Sequence, residues 1–193
     1  MQGKEQRKNR IDTLLGPGLN IHRSPLNGRN FEYFSEDPLL TGKLAAAQLR
    51  GMRRFGVTGT IKHFACNNQE FKRTEIDSVL SERALREIYL RAFETAVKEG
   101  GAYSVMSTYG GLNGIWTASN FDLLTTILRD EWGFIGTVMT DWWAKGNDRE
   151  AKKPPARTSL HRCARRMTST WLTRTPPRTA NTIIWTTPLQ TAD

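Results

Sequence analysis

Cysteine, histidine and long apolar runs are all scarce in this chain. The two cysteines, Cys66 and Cys163, lie far apart in regions of different composition, so no structural disulfide is expected. The three histidines, His22, His63 and His161, lack the spacing of paired metal ligands, and no cysteine pair joins them. Neither a metal site nor a cofactor is expected. No apolar stretch approaches the ~18 residues of a membrane span. The N-terminus is charged (Lys4, Glu5, Arg7, Lys8, Arg10) and does not read as a signal peptide. The expectation is a soluble, cytoplasmic protein with no membrane partner. Gly16-Pro17-Gly18 lacks the spacing of a dinucleotide or P-loop motif, which sets phosphate chemistry aside. No internal repeat is visible beyond an alternation of elements.

Acidic residues are also in deficit: 28 Lys and Arg stand against 19 Asp and Glu, a net +9 over 193 residues. A charge of that sign suggests nucleic acid, but its placement argues otherwise. Residues 149–193 hold nine Lys/Arg and two acids, so most of the excess sits there and the body is close to neutral. Residues 151–193 also hold ten Thr and five Pro with no sustained period. A poorly structured basic tail with no specific nucleic-acid partner is expected. Read one base over, suitable codons for this region encode a more protein-like sequence, so a frameshift product is the expected origin of the tail.

The remainder alternates between two periods. Residues 1–10 read as a ragged lead-in, and 11–148 as one domain. Asp37-Pro38 opens a helix towards Phe55, with Leu40, Leu49 and Met52 on its apolar side and Gly56 as its stop. Val57–Ala65 reads as a buried strand carrying Lys62-His63. Ser81 caps a helix whose Leu85, Ile88, Tyr89, Ala92, Phe93, Ala96 and Val97 keep helical spacing to Gly100-Gly101. Tyr103–Met106 is a short strand ending at Ser107-Thr108-Tyr109. Asn120 caps a third helix through Leu123, Leu124, Ile127 and Leu128. Gly136–Trp143 is a last strand, ending in Asp141 and two tryptophans. Strand and helix in strict alternation predict an α/β fold with a parallel sheet. The polar residues gather just after the strands, where a (β/α)8 barrel builds its active site. At 193 residues the chain is shorter than the roughly 250 of a complete barrel, so an incomplete TIM-barrel-like domain is expected.

Asp141 is the candidate around which the rest is read. A carboxylate beside flat rings suits sugar chemistry, because rings stack on the apolar face of a pyranose and a carboxylate attacks or steadies a cationic carbon. It is equally compatible with a strand-end acid that caps the next turn, and Trp142 and Trp143 with core packing. Lys62-His63, with Asn67, Asn68, Gln69, Glu70 and Arg73 nearby, forms a cluster of donors and acceptors fit for hydroxyl groups. Arg29 is either a ligand group or a partner of Glu32 or Glu36. Tyr109 either reaches a carboxylate or is an ordinary core tyrosine.

Four stretches together, GPGLNIHRSPLNGRNFEYFSEDP, KHFACNNQE, DSVLSERALREIYLRAFETAVKEG and EWGFIGTVMTDWW, resemble the barrel domain of glycoside hydrolase family 3 β-glucosidases over residues 14–146. The resemblance implies that Asp141 is the nucleophile forming a covalent glycosyl-enzyme. It implies that Arg29, Lys62, His63, Arg73 and Tyr109 hold the sugar or orient the nucleophile, and that Trp142 lies beside the substrate. The Asn-Asn-Gln-Glu run resembles the β-glucosidase branch rather than the one acting on N-acetylglucosaminides. Three features differ from the family pattern. An earlier segment with an Asp before Gly-Pro is not present, nor is the sandwich domain that supplies the acid/base Glu. Gly110-Gly111 stands where the family has Asn-x.

The expected function is therefore a retaining β-glucosidase lineage, acting on non-reducing β-D-glucosyl ends of glucosides or oligosaccharides. The chain alone is expected to be inactive or weakly active, and to self-associate through an incomplete barrel. A non-catalytic sugar-binding remnant and a basic nucleic-acid-interacting protein are the alternatives.

Overall fold

The computed structural model describes residues 1–146, and the elements below are those of that stretch. The N-terminal ten residues are not a ragged lead-in. They form helix α1 (Gln2–Lys8), with Gly3 and Gln6 buried. A Cβ on Gly3 would come within 2.9 Å of Met52 Cα, so α1 rests directly on the next helix. This contact, rather than any apolar period of its own, gives the segment its place.

After the short strand β1 (Thr13–Leu14) comes α2 (Pro38–Arg53). Its start follows from the sequence: Asp37 Oδ1 accepts from the N–H of Leu39 (2.7 Å) and Leu40 (3.3 Å), and Pro38 needs no donor there. Gly56 follows with φ +73°. The buried face is Thr41, Gly42, Ala45, Ala46, Leu49 and Met52. Leu40, expected on that face, is half exposed, because the small residues make the contact instead.

Strand β2 (Thr58–Phe64) and the two-residue β3 (Asp77–Ser78) precede the second helical region. Ser81 Oγ accepts from Ala84 N–H (3.2 Å) and starts α3 (Glu82–Ala84). Leu85–Tyr89 then widens into i→i+5 turns, closed by Leu90 N–H on Leu85 O at 2.8 Å, before α4 (Arg91–Lys98). The widened turn shifts the helical phase. Leu85, Ala92, Phe93 and Ala96 are buried as expected, but Ile88 turns outward.

Strand β4 (Ser104–Ser107), the hairpin β5 (Gly111–Leu112) and β6 (Ile115–Trp116), the wide helix Asp122–Glu131 and β7 (Thr137–Met139) complete the described chain. Asn120 Oδ1 accepts from Leu123 N–H (3.0 Å), and Leu123, Leu124, Ile127 and Leu128 are buried.

The main sheet runs β1-β2-β4-β7, every pair parallel, in chain order without reversal. Ile61, Phe64, Val105 and Val138 of the sheet pack with Leu49, Met52, Phe93 and Leu128 of the helices. Gly136 makes the last pairing possible: Thr137 N–H bonds Tyr103 O at 2.9 Å, and a Cβ on Gly136 would sit 2.1 Å from that same oxygen. A second sheet, β3-β5-β6, holds the loops after β2 and β4 together. Its strands are too short to show a period in sequence. Among the described residues, no helix is long and apolar enough to cross a membrane. The expected basic tail, its frameshift origin and Cys163 lie outside the described residues, while Cys66 is a buried free thiol.

Candidate active site

A parallel sheet puts the carboxyl ends of all four strands on one side. The loops after β1, β4 and β7, together with the end of β2 and its loop, therefore meet. Asp141 follows β7 and is 5% exposed. Its Oδ1 accepts from Trp142 N–H at 2.8 Å, and its Oδ2 lies 3.7 Å from His63 Nε2.

His63, at the end of β2, is 1% exposed and held from both sides. Its backbone N–H donates to Asn20 Oδ1 (2.8 Å) and its C=O accepts from Asn20 Nδ2 (3.0 Å). Its Nδ1 faces Tyr33 OH at 3.3 Å. Burial, then the charges of Arg29, Lys62 and Arg73, push the imidazole down to about 2, so it is neutral at ordinary pH. If Tyr33 donates to Nδ1, the ring proton is on Nε2 and faces Asp141; that tautomer is assigned from the partners.

Tyr109, after β4, is buried beside Asp141. Burial and then the Asp141 charge raise its phenol, which stays protonated and able to donate. The Arg73 guanidinium lies over its ring, 4.7 Å from the centroid. Glu70 accepts from Arg73 Nη1 (2.8 Å) and Asn67 Nδ2 (2.9 Å), and Arg29 Nε is 4.0 Å away. Arg29 bonds Glu32 closely, and Lys62 Nζ is 3.0 Å from Glu32 Oε2. Burial raises the Glu32 carboxyl, but hydrogen bonds from Arg29 and Lys62 outweigh it and hold the group below its ordinary value. Three cations thus face two carboxylates, Glu32 and Glu70, in a floor of polar groups with fixed partners.

A buried carboxylate beside a protonated phenol, with lysine, arginines and amides around it, is equipped to bind a polyhydroxylated ligand. Among the described residues, no three His, Cys, Asp or Glu gather as metal ligands. Residues 1–161 match the family model described as glycosyl hydrolase family 3 N terminal domain. The chain belongs to this family. It is a glycoside hydrolase by lineage.

Similarity to individual members of family 3 is close over part of their length. A β-glucosidase of Ruminococcus albus is 67% identical over 147 residues, covering 76% of this chain and 16% of that protein. The thermostable β-glucosidase B of Acetivibrio thermocellus is 50% identical over 147 residues, 76% of this chain and 19% of that protein. The solved structure of β-glucosidase 3B from Thermotoga neapolitana in complex with glucose superposes with a TM-score of 0.74 at 44% identity, covering 88% of this chain and 26% of that one. A β-glucosidase structure from Paenibacillus barengoltzii gives 0.75 at 64% identity, with 79% and 16% covered. The chain therefore spans under a fifth of the length of these two curated relatives. The family match runs to residue 161, beyond the Gly146 limit of the sequence resemblance.

Within this family 3 domain, the residues singled out from sequence sit as follows. Asp141, His63 and Tyr109 are together; Arg73 joins them over the Tyr109 ring; Arg29 and Lys62 join through Glu32. Arg29 pairs with Glu32 and not with Glu36. Trp142 adjoins Asp141 through its backbone, while its ring is 64% exposed, and Trp143 is 88% exposed. Neither ring is core. Sequence reasoning named Glu32 as a partner of Arg29 but missed its contact with Lys62, and missed Asn20 and Tyr33 as structural partners. Asn20 and Tyr33 meet His63 across 43 and 30 residues of chain, and no local pattern signals that.

Proposed function

We propose that this chain carries the nucleophile and the glycone-binding half of a retaining β-glucosidase site. One observation carries the reading: Asp141 is buried, one oxygen bonded by the Trp142 N–H and the other facing neutral His63. In this mechanism an Asp141 oxygen attacks the anomeric carbon as the glycosidic C–O bond breaks. Water later attacks the same carbon and frees Asp141. Tyr109 donates to Asp141, while Arg29, Lys62, His63 and Arg73 bond sugar hydroxyls. Trp142 offers a ring beside the leaving group. The similarity to β-glucosidases, among them a glucose complex, supports glucose as the glycone.

The departing oxygen needs a proton from a second carboxyl, roughly 5–5.5 Å from the nucleophile in retaining enzymes. Glu32 is held ionised by Arg29 and Lys62, and Glu70 is bonded by Arg73 and Asn67. Neither suits a proton donor. We infer that these residues alone attack only glucosides whose leaving group departs unprotonated. Unbroken chain order of parallel strands supports a stretch of a (β/α)8 barrel. An open sheet edge in such a stretch favours self-association.

The experiment is mass spectrometry of the protein incubated with 2,4-dinitrophenyl 2-deoxy-2-fluoro-β-glucoside. An adduct on Asp141, absent in Asp141→Asn, is expected. Glucose binding without an adduct would leave a sugar-binding module instead. Salt-sensitive DNA binding that residues 149–193 alone account for would favour the nucleic-acid alternative.

A further inference from the structure

We propose that Glu70 is a positioning residue, setting the two side chains, Tyr109 and His63, that neighbour Asp141. The proposal rests on the reading of Asp141 above and adds a residue to it. Glu70 stands where two chains of contacts meet. On one side its Oε2 accepts from Arg73 Nη1 at 2.8 Å, and Arg73 lies 4.7 Å over the ring of Tyr109. Tyr109 in turn lies near enough to Asp141 for the carboxylate charge to raise its phenol. On the other side Oε1 accepts from Asn67 Nδ2 at 2.9 Å. The same Nδ2 donates to Tyr33 OH at 3.0 Å, and that hydroxyl is 3.3 Å from His63 Nδ1. His63 Nε2 then faces Asp141 Oδ2. Both routes lead from Glu70 to the surroundings of Asp141.

Each link has a physical reason to be directional. Asn67 spends both amide hydrogens, one on Glu70 and one on Tyr33, so its plane is fixed. Asn67 is 4% exposed and Tyr33 5%, which leaves little room for either to turn. The Arg73–Glu70 contact is charge-assisted, and holds a guanidinium that is otherwise free to leave the Tyr109 face. Glu70 itself is too engaged to touch substrate as an acid, yet its removal loosens both groups beside the nucleophile. Displacing such groups by about 1 Å costs on the order of a hundredfold in rate.

Glu70→Gln separates the two routes. Its amide oxygen still accepts from Asn67, but its NH2 meets Arg73 and cannot hold it. Two measurements test the proposal. The first is the 19F resonance of 3-fluorotyrosine at Tyr109, assigned by its loss in Tyr109→Phe. Glu70→Gln is expected to shift it while leaving the resonances of Tyr89 and Tyr103 in place. The second is a cycle of Glu70→Gln, Tyr109→Phe and the double variant, read as the rate of Asp141 labelling by the fluoroglucoside. Each single change is expected to slow labelling about tenfold or more, and the pair no more than the worse single. An unmoved resonance, or additive losses, overturns the proposal. A wild-type chain that is never labelled sinks the Asp141 reading, and the resonance alone then decides whether Glu70 holds Arg73 over Tyr109. Should Glu70→Gln fail to fold, Glu70→Asp keeps the charge, withdraws the oxygens by one methylene, and takes the same two measurements.

Discussion

His63 and Asp141 face each other at 3.7 Å without forming an ion pair, because the imidazole is neutral. Burial, then three cations, keep the ring unprotonated, so a neutral ring edge rather than a positive charge is what Asp141 meets. The arrangement leaves the carboxylate less tightly held than a salt bridge would, which suits the attacking role proposed for it.

Neutral His63 makes stability depend on pH. Its ordinary value is 6.5, and in the folded chain it lies at about 2. Above 6.5 neither state binds the proton and stability is fully present. As pH falls from about 6.5 towards 2 the unfolded chain binds a proton the folded one refuses, so stability is lost at up to about 1.4 kcal/mol per pH unit. Urea unfolding between about pH 7 and about pH 5 should show this slope, flattened in His63→Asn. An identical slope in both would assign the loss to other groups.

Asn20→Ala should be strongly destabilising for one small side chain. Asn20 is 3% exposed and satisfies both the N–H and the C=O of His63. Removing it leaves two buried backbone groups unpaired, at about 1–3 kcal/mol each. Denaturant midpoints give the value; a loss under about 0.5 kcal/mol would mean that water replaces the amide.

Two glycines of α2 should respond in opposite directions to the same change. A Cβ on Gly42 would meet Thr95 Cβ at 2.7 Å, in the contact between α2 and α4. Gly42→Ala is expected to cost about 1–3 kcal/mol through overpacking. Gly51 has nothing within 4 Å of its Cβ position, so Gly51→Ala should stabilise by about 0.5–1 kcal/mol. Thermal unfolding of the two variants side by side checks the pair, and a shared sign would be wrong for this packing.

Trp142→Ala should separate binding from folding. The ring is largely exposed, and the N–H that bonds Asp141 belongs to the backbone and survives the change. Stability should stay within about 0.5 kcal/mol. Affinity for an aryl β-glucoside should fall about tenfold through lost stacking. Calorimetric titration of wild type and variant measures it, and equal affinities would remove Trp142 from the site.

Much of the fold was legible because its signals are local. Asp37, Ser81 and Asn120 cap helices through atoms two or three residues away, and Leu123, Leu124, Ile127 and Leu128 show their inward face by spacing alone. Where the local signal was absent or misleading, reading failed for identifiable reasons. Helix α1 has no apolar period and is placed by Gly3 against Met52. Ile88 follows helical spacing but is carried outward by the widened turn before α4. The two-residue strands of the second sheet are too short to alternate.

Side-chain chemistry along the chain was enough for the α/β alternation, the helix starts and the set of polar residues at and after the strand ends, including Asp141, Lys62-His63 and Tyr109. Those follow from side-chain chemistry and periods of two and 3.6 residues. Which of them meet follows from the packing of the folded chain. That Asn20 clamps His63, that Arg29 takes Glu32 and not Glu36, and that Glu70 joins Arg73 to Asn67 are matters of parallel strands bringing distant loops to one end of a sheet. Burial there, and not residue type, is what leaves His63 neutral beside Asp141.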